Sequence, residues 1–117
     1  MGIFDVTQSV LQEAMSGAAL REQVLSNNVA NANTPGFTRS DVDFQGAIQQ
    51  ALANGAPLDQ TQFQPQADNS APLTLDGNNV GVDAEMSKLS ENTILYQSLS
   101  GIAKARLKMI EDAVKSS

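Results

Sequence analysis

The stretch Ser26-Asn27-Asn28-Val29-Ala30-Asn31-Ala32-Asn33-Thr34-Pro35-Gly36-Phe37 decides how this chain is read. An amphipathic pattern broken only by Gly17 runs up to it, and a chain of different composition follows. Asparagine tolerates the left-handed region and competes for backbone hydrogen bonds, so it suits a helix C-terminus. Pro35-Gly36 suits the two central positions of a type II turn, with Phe37 as an anchor beyond it. A plain helix stop needs one Asn or Gly. Four asparagines within residues 27–33, interleaved with Val29, Ala30 and Ala32, suggest close packing with many side-chain hydrogen bonds.

Working back from this stretch, residues 4–30 read as helix. Phe4, Leu11, Ala18 and Leu25 recur every seven residues, with Met15 and Val29 each four positions after a member of the series. That repeat favours a coiled-coil-like seam. Asp5 and Thr7 are cap candidates. Gly17, beside Ser16, Ala18 and Ala19, reads either as a patch where another backbone approaches or as a neutral surface glycine.

Working forward, Asp41 and Asp43 offer caps to a short helix over residues 44–53, stopped by Asn54-Gly55. Residues 54–81 are rich in Gln, Asn, Asp, Pro and Ala and show no period. They read as extended loop, with a weak strand pair near 62–64 and 73–75 and a turn at Asp76-Gly77. A second long helix is expected over 84–115, capped by Asp83. Its stripe contains Met86, Leu89, Tyr96, Leu99, Leu107 and Ile110.

The expected fold is therefore all-α: long terminal helices forming a coiled-coil-like hairpin, joined by a short helix and a weakly structured loop. Residues 1–33 and 83–117 form the helical core, and 34–82 the turn, short helix and loop of one discontinuous unit. Aromatic residues are few and the apolar residues are mostly Ala, Leu, Val and Ile, which suits helix packing. With a middle poor in apolar residues, a two-helix hairpin leaves much of each stripe wet. Small scaffolds in that position need disulfides, metal or association. The chain has neither cysteine nor histidine, so association remains, and a protomer marginal by itself is expected to be completed by copies or relatives of itself.

Charge and motifs exclude other classes. A net charge of -6 offers no basic surface for a nucleic-acid partner. Without His or Cys there is no ordinary general base or thiol nucleophile, and the glycines form no phosphate-binding loop. Asp76-Gly77-Asn78-Asn79 lacks EF-hand spacing. No catalytic, metal or cofactor-binding residue is expected, and no cofactor. No apolar run reaches the roughly 18 to 20 residues needed to span a bilayer. The N-terminus lacks the basic and apolar regions of a cleavable signal.

The run 24–37 resembles the N-terminal signature of bacterial flagellar rod and hook proteins, N-x-A-N-x-x-T-P-G-[FY]. Asn28, Ala30, Asn31, Thr34, Pro35, Gly36 and Phe37 fill its positions. Arg39-Ser40-Asp41-Val42-Asp43-Phe44, and the run from Leu75-Asp76-Gly77-Asn78-Asn79-Val80 through Glu85-Met86, Leu89, Glu91-Asn92 and Tyr96-Gln97, resemble the proximal-rod branch. Gly81 stands where that family often has a polar or acidic residue, and the middle segment matches little. The resemblance implies a non-catalytic subunit of the basal-body rod, exported by the flagellar type III apparatus without signal cleavage. It also implies the periplasmic rod as location, and as partners copies of itself, other rod proteins and the basal-body ring or adaptor proteins. The seven motif residues would be the assembly motif. Leu11, Met15, Leu25 and Val29 would pack with the second-helix stripe to transmit torque. The competing reading is a small helical adaptor or secretion chaperone that holds a partner helix.

Overall fold

Seven-residue spacing on the first helix dictates the architecture. In the computed structural model, which describes residues 3–116 and side chains from Val6 onward, Leu11, Ala18 and Leu25 are all buried along one line of α1 (Ile3–Ala30). The side chains of Phe4 and Asp5 lie outside the described residues. Positions 5 and 7 both fall inside α1, so neither stands at its start. The chain continues through β1 (Ser40–Asp41), α2 (Phe44–Ala53), a 3-10 turn at Leu58–Gln60, β2 (Gln66–Ala67) and α3 (Val82–Lys115). Contacts of Asn28 with Glu85 and of Ala18 with Asn92 run α3 back antiparallel along α1. The hairpin measures 66 × 28 × 14 Å, and the 34 residues of α3 rise about 51 Å at 1.5 Å each. No described helix is long and apolar enough to cross a membrane.

The middle segment is better built than its composition suggested. Val42, Phe44, Ile48 and Leu58 form a core cluster around Ala18, and Phe63 meets Phe44 edge-on with ring centroids 6.4 Å apart. Gly17 makes this possible: a Cβ there would lie 2.4 Å from Cβ of Phe44. The glycine is therefore not a neutral surface residue but a site of close approach by another element. It is the socket into which the start of α2 is pressed. Asp43 caps α2 by accepting from the Gly46 amide at 3.0 Å, satisfying one of the helix's orphan donors. Asn54 and Gly55, the latter at φ 66°, end it where the sequence placed the stop.

Two local expectations are corrected. The strand pair is not 62–64 with 73–75. Ser40 lies opposite Ala67 and Asp41 opposite Gln66 in an antiparallel bridge. An ion pair from Arg39 to Asp68 draws those segments together, whereas Leu73 and Leu75 stay exposed. The turn does form, with the Gly77 amide donating to the Thr74 carbonyl at 3.0 Å and Gly77 at φ 81°. Asp83 is not the N-cap of α3. Gly81 holds that position without a side-chain bond, and Asp83 lies in the first turn beside Glu85, where carboxylates favour the positive helix end.

Candidate functional site

The asparagine-rich end of α1 is closed by a residue from the far side of the loop. Asn78, only 1 % exposed, donates its side-chain amide to the carbonyls of Asn31 at 2.9 Å and Thr34 at 2.7 Å. These carbonyls lie just past the end of α1, and the Asn31 carbonyl also accepts from the Thr34 amide at 3.0 Å. Beyond them the Phe37 amide donates to the Thr34 carbonyl at 3.2 Å with Gly36 at φ 73°, the arrangement a type II turn requires. The Gly36 amide donates to the Asp76 carbonyl at 2.8 Å, and the Asn79 amide to the Phe37 carbonyl at 3.3 Å. Turn and loop are thus laced together through their backbones.

Beneath this turn lies a buried charged junction. Arg39, 2 % exposed, gives its Nε to Glu85, which is 1 % exposed. Its Nη atoms reach Asp68 and, at 3.2 Å, Asp41. Asp41 also takes a two-pronged contact from Arg21, at 2.7 and 3.2 Å. Asn28 bridges the two halves: its amide donates to the Ser40 carbonyl at 2.7 Å and to Glu85 at 3.1 Å, while its oxygen accepts from the Ser40 amide at 3.0 Å. Asn79 completes the enclosure, its oxygen accepting from the Arg39 amide at 2.7 Å and its own amide donating to the Asp68 carbonyl at 2.6 Å.

The electrostatics follow from these partners. Burial works against the charge on Arg39, but Glu85, Asp41 and Asp68 outweigh it and hold the guanidinium above its ordinary value. Burial pushes the Asp41 carboxyl up, and hydrogen bonds from Arg21 and the Val42 amide bring it below the usual carboxylate range. The Ser70 hydroxyl and amide, then Arg39, pull Asp68 down to about 2. The junction is a set of paired ions with no spare nucleophile. Among the described residues there is no cluster of metal-ligating side chains.

The expected site residues divide between inside and outside. Asn28 faces inward, committed to Ser40 and Glu85. Asn31 is half-buried and bonds to the Asn27 carbonyl at 2.8 Å. Ala30, Thr34, Pro35 and Gly36 are exposed, and Phe37 is half-buried. Of the helix-packing residues, Leu11 and Leu25 are buried and Met15, Val29, Leu89 and Leu99 half-buried. Met86, Tyr96, Leu107 and Ile110 are exposed, although Tyr96 lies beside Ala19 and Gln23 of α1, and Leu107 and Ile110 beside Met15. The fully buried residues of α3 are polar, Glu85 and Asn92, seven residues apart, and the half-buried Leu95 packs with them on the Ala18 side. Asn92 donates to the Ala18 carbonyl at 2.8 Å and to Glu22 at 2.9 Å. Arg39, Asn78, Glu85 and Asn92 were not singled out as site residues. The available signal was their place in the runs that carry the resemblance, with Glu85 and Asn92 seven residues apart on α3.

Among the exposed apolar features of the described residues, two are distinct in shape. One is the loop tip, with Leu73 and a fully exposed Leu75 beside Ala32 and Asn33. The other is an open groove of about 470 Å³ further along the hairpin, floored by Met15, Ala103, Leu107 and Ile110.

Comparison with known proteins agrees with this geometry. The family described as flagella basal body rod protein matches residues 9–38, the segment from α1 through the turn. Flagellar basal body rod protein FlgB of Aeromonas hydrophila is 33 % identical over 123 residues, covering 87 % of this chain and 93 % of the relative. The FlgB protein of Bacillus subtilis is 30 % identical over 110 residues, with 85 % of each chain covered. That of Borrelia hermsii is 27 % identical over 135 residues, covering 98 % and 100 %.

Proposed function

This chain belongs to the FlgB family of flagellar basal body rod proteins, and from that premise we propose that it is a structural subunit of the proximal rod, polymerising through its terminal helices into the torque-transmitting shaft. Membership places it in the basal body rod and in a structural family. The finer reading rests on one observation. Along α3, Met86, Ile94, Ile102, Leu107, Ile110 and Val114 are all exposed. A helix this long that leaves so many large apolar side chains in solvent is half of a packing interface. Neighbouring rod subunits, copies of this chain and the ring or adaptor proteins at the rod's base are the partners that would cover it. The exposed positions of the motif, Thr34, Pro35 and Gly36, add lateral contacts at the opposite end. The subunit works in the periplasm, reached by flagellar type III export with its N-terminus uncleaved, and performs no catalysis.

The test is complementation in the source strain lacking the gene, with a tagged chain located in isolated basal bodies by electron microscopy. Restored swimming with the tag at the base of the rod is the expected result. Swimming without the gene, or a tag absent from purified basal bodies, would overturn the reading. Charged replacements at Leu107 and Ile110 should abolish swimming while leaving the level of exported chain unchanged.

A further inference from the structure

The loop tip and the groove are complementary. The loop tip Leu73-Thr74-Leu75-Asp76 presents two exposed leucines followed by a carboxylate. The groove presents an apolar floor with exposed Lys104 at its edge. Asp76 is held in place by the Thr74 hydroxyl and by the Asn78 amide at 3.3 Å, and these bonds lower its carboxyl below the ordinary value. Tip and groove lie apart on the same rod. The tip sits against Ala32 and Asn33, while the groove is bounded on α1 by Gln8 and Met15. Some twenty helical residues separate them, an offset of roughly 30 Å.

We propose that the loop tip Leu73–Asp76 of one copy docks in the Met15–Ala103–Leu107–Ile110 groove of a second copy, its leucines on the apolar floor and Asp76 facing Lys104. The occupant is a second copy because one chain carries both halves at an offset its rigid hairpin cannot close upon itself. The contact joins two different surfaces, so each docking leaves a free tip at one end and a free groove at the other. Such head-to-tail contacts propagate as an open helix unless rotation closes them into a ring. This deepens the rod reading above and rests on it. It assigns residues of the loop, beyond the terminal helices, to the contact between copies.

The absence of cysteine makes the test direct. Chains carrying Leu75→Cys or Ala103→Cys are expressed separately and together in the strain lacking the native gene. Basal bodies are isolated after mild oxidation and resolved on non-reducing gels. A disulfide-linked dimer is expected from the mixture and absent from either variant alone, and the double variant should give a ladder. Dimers in a single-cysteine strain would mean a two-fold contact and overturn the proposal. So would swimming cells whose mixed basal bodies hold both variants without a mixed dimer, an outcome that leaves the rod reading intact. Failure of the wild-type chain to enter basal bodies would instead remove that reading and this one with it. The charge arm is independent: Asp76→Lys and Lys104→Asp should each lose swimming, and their combination should regain it. A combination no better than the worse single variant speaks against the contact.

Discussion

Asn28 donates to Glu85 at 3.1 Å across 57 residues of chain, with both side chains shielded from solvent. This bond joins the asparagine-rich end of α1 to the first turn of α3, and Arg39 meets the same carboxylate from the intervening segment. The hairpin, turn and loop therefore share one electrostatic centre.

Removing one member of a buried ion pair leaves the other uncompensated, a loss of roughly 3–5 kcal/mol. Glu85→Ala should accordingly unfold the purified chain at markedly lower urea. Glu85→Gln, which keeps an acceptor for Asn28, should lose less. The double variant with Arg39→Ala is expected to lose less than the sum of its singles. Strict additivity in that cycle would mean Arg39 and Glu85 are not coupled.

Acid should loosen the same junction. Asp41 and Asp68 titrate lower in the folded chain than in the unfolded one. Their contribution is thus complete above the ordinary carboxylate value of about 4 and is lost as pH falls toward about 2. Circular dichroism against pH should show the loss in that window, and Asp68→Asn should flatten it. A stability curve that is level from pH 5 to pH 2 would contradict the assignment.

Two helical glycines should respond in opposite ways to alanine. Relative to alanine, an interior glycine destabilises a helix by about 1 kcal/mol, and at Gly101 an added Cβ meets nothing within 4 Å. Gly101→Ala should raise the melting temperature of the isolated chain. At Gly17 the added methyl collides with Phe44, and overpacking of this kind costs about 1–3 kcal/mol. Gly17→Ala should lower it. Matched shifts of the same sign would exclude the socket.

Asn78→Ala removes the donor that closes the end of α1. With two carbonyls left without it, a loss of roughly 1–3 kcal/mol is expected. It should be concentrated in residues 31–37 and seen as faster amide exchange at Phe37 while Leu11 and Ala18 remain protected. Uniform acceleration across α1 would show that the cap acts on the whole fold.

The sequence reading succeeded where the signal was periodic or chemical. Leu11, Ala18 and Leu25 placed α1, Asn54-Gly55 ended α2, and Pro35-Gly36 marked the turn. It failed where long-range polar contacts decide. Asp68 organises β2 because it meets Arg39, 29 residues away, and no local pattern announces that pairing. The stripe on α3 was legible, but the side turned to α1 was not. Glu85 and Asn92 took the inner line because the carbonyl of Ala18 and the amide of Asn28 offered them hydrogen bonds. The middle segment's core was hidden for a related reason: its few apolar residues suffice only because Gly17 lets Phe44 come close.

A purely greasy seam between two helices can creep, since sliding by one repeat puts leucine against alanine again. The inner line of α3 does not permit this. Displacing Glu85 strands Arg39 and Asn28 together, and displacing Asn92 abandons Glu22. The pair of helices is keyed like a shaft and collar, with a single detent that lengthwise shear must break before anything moves.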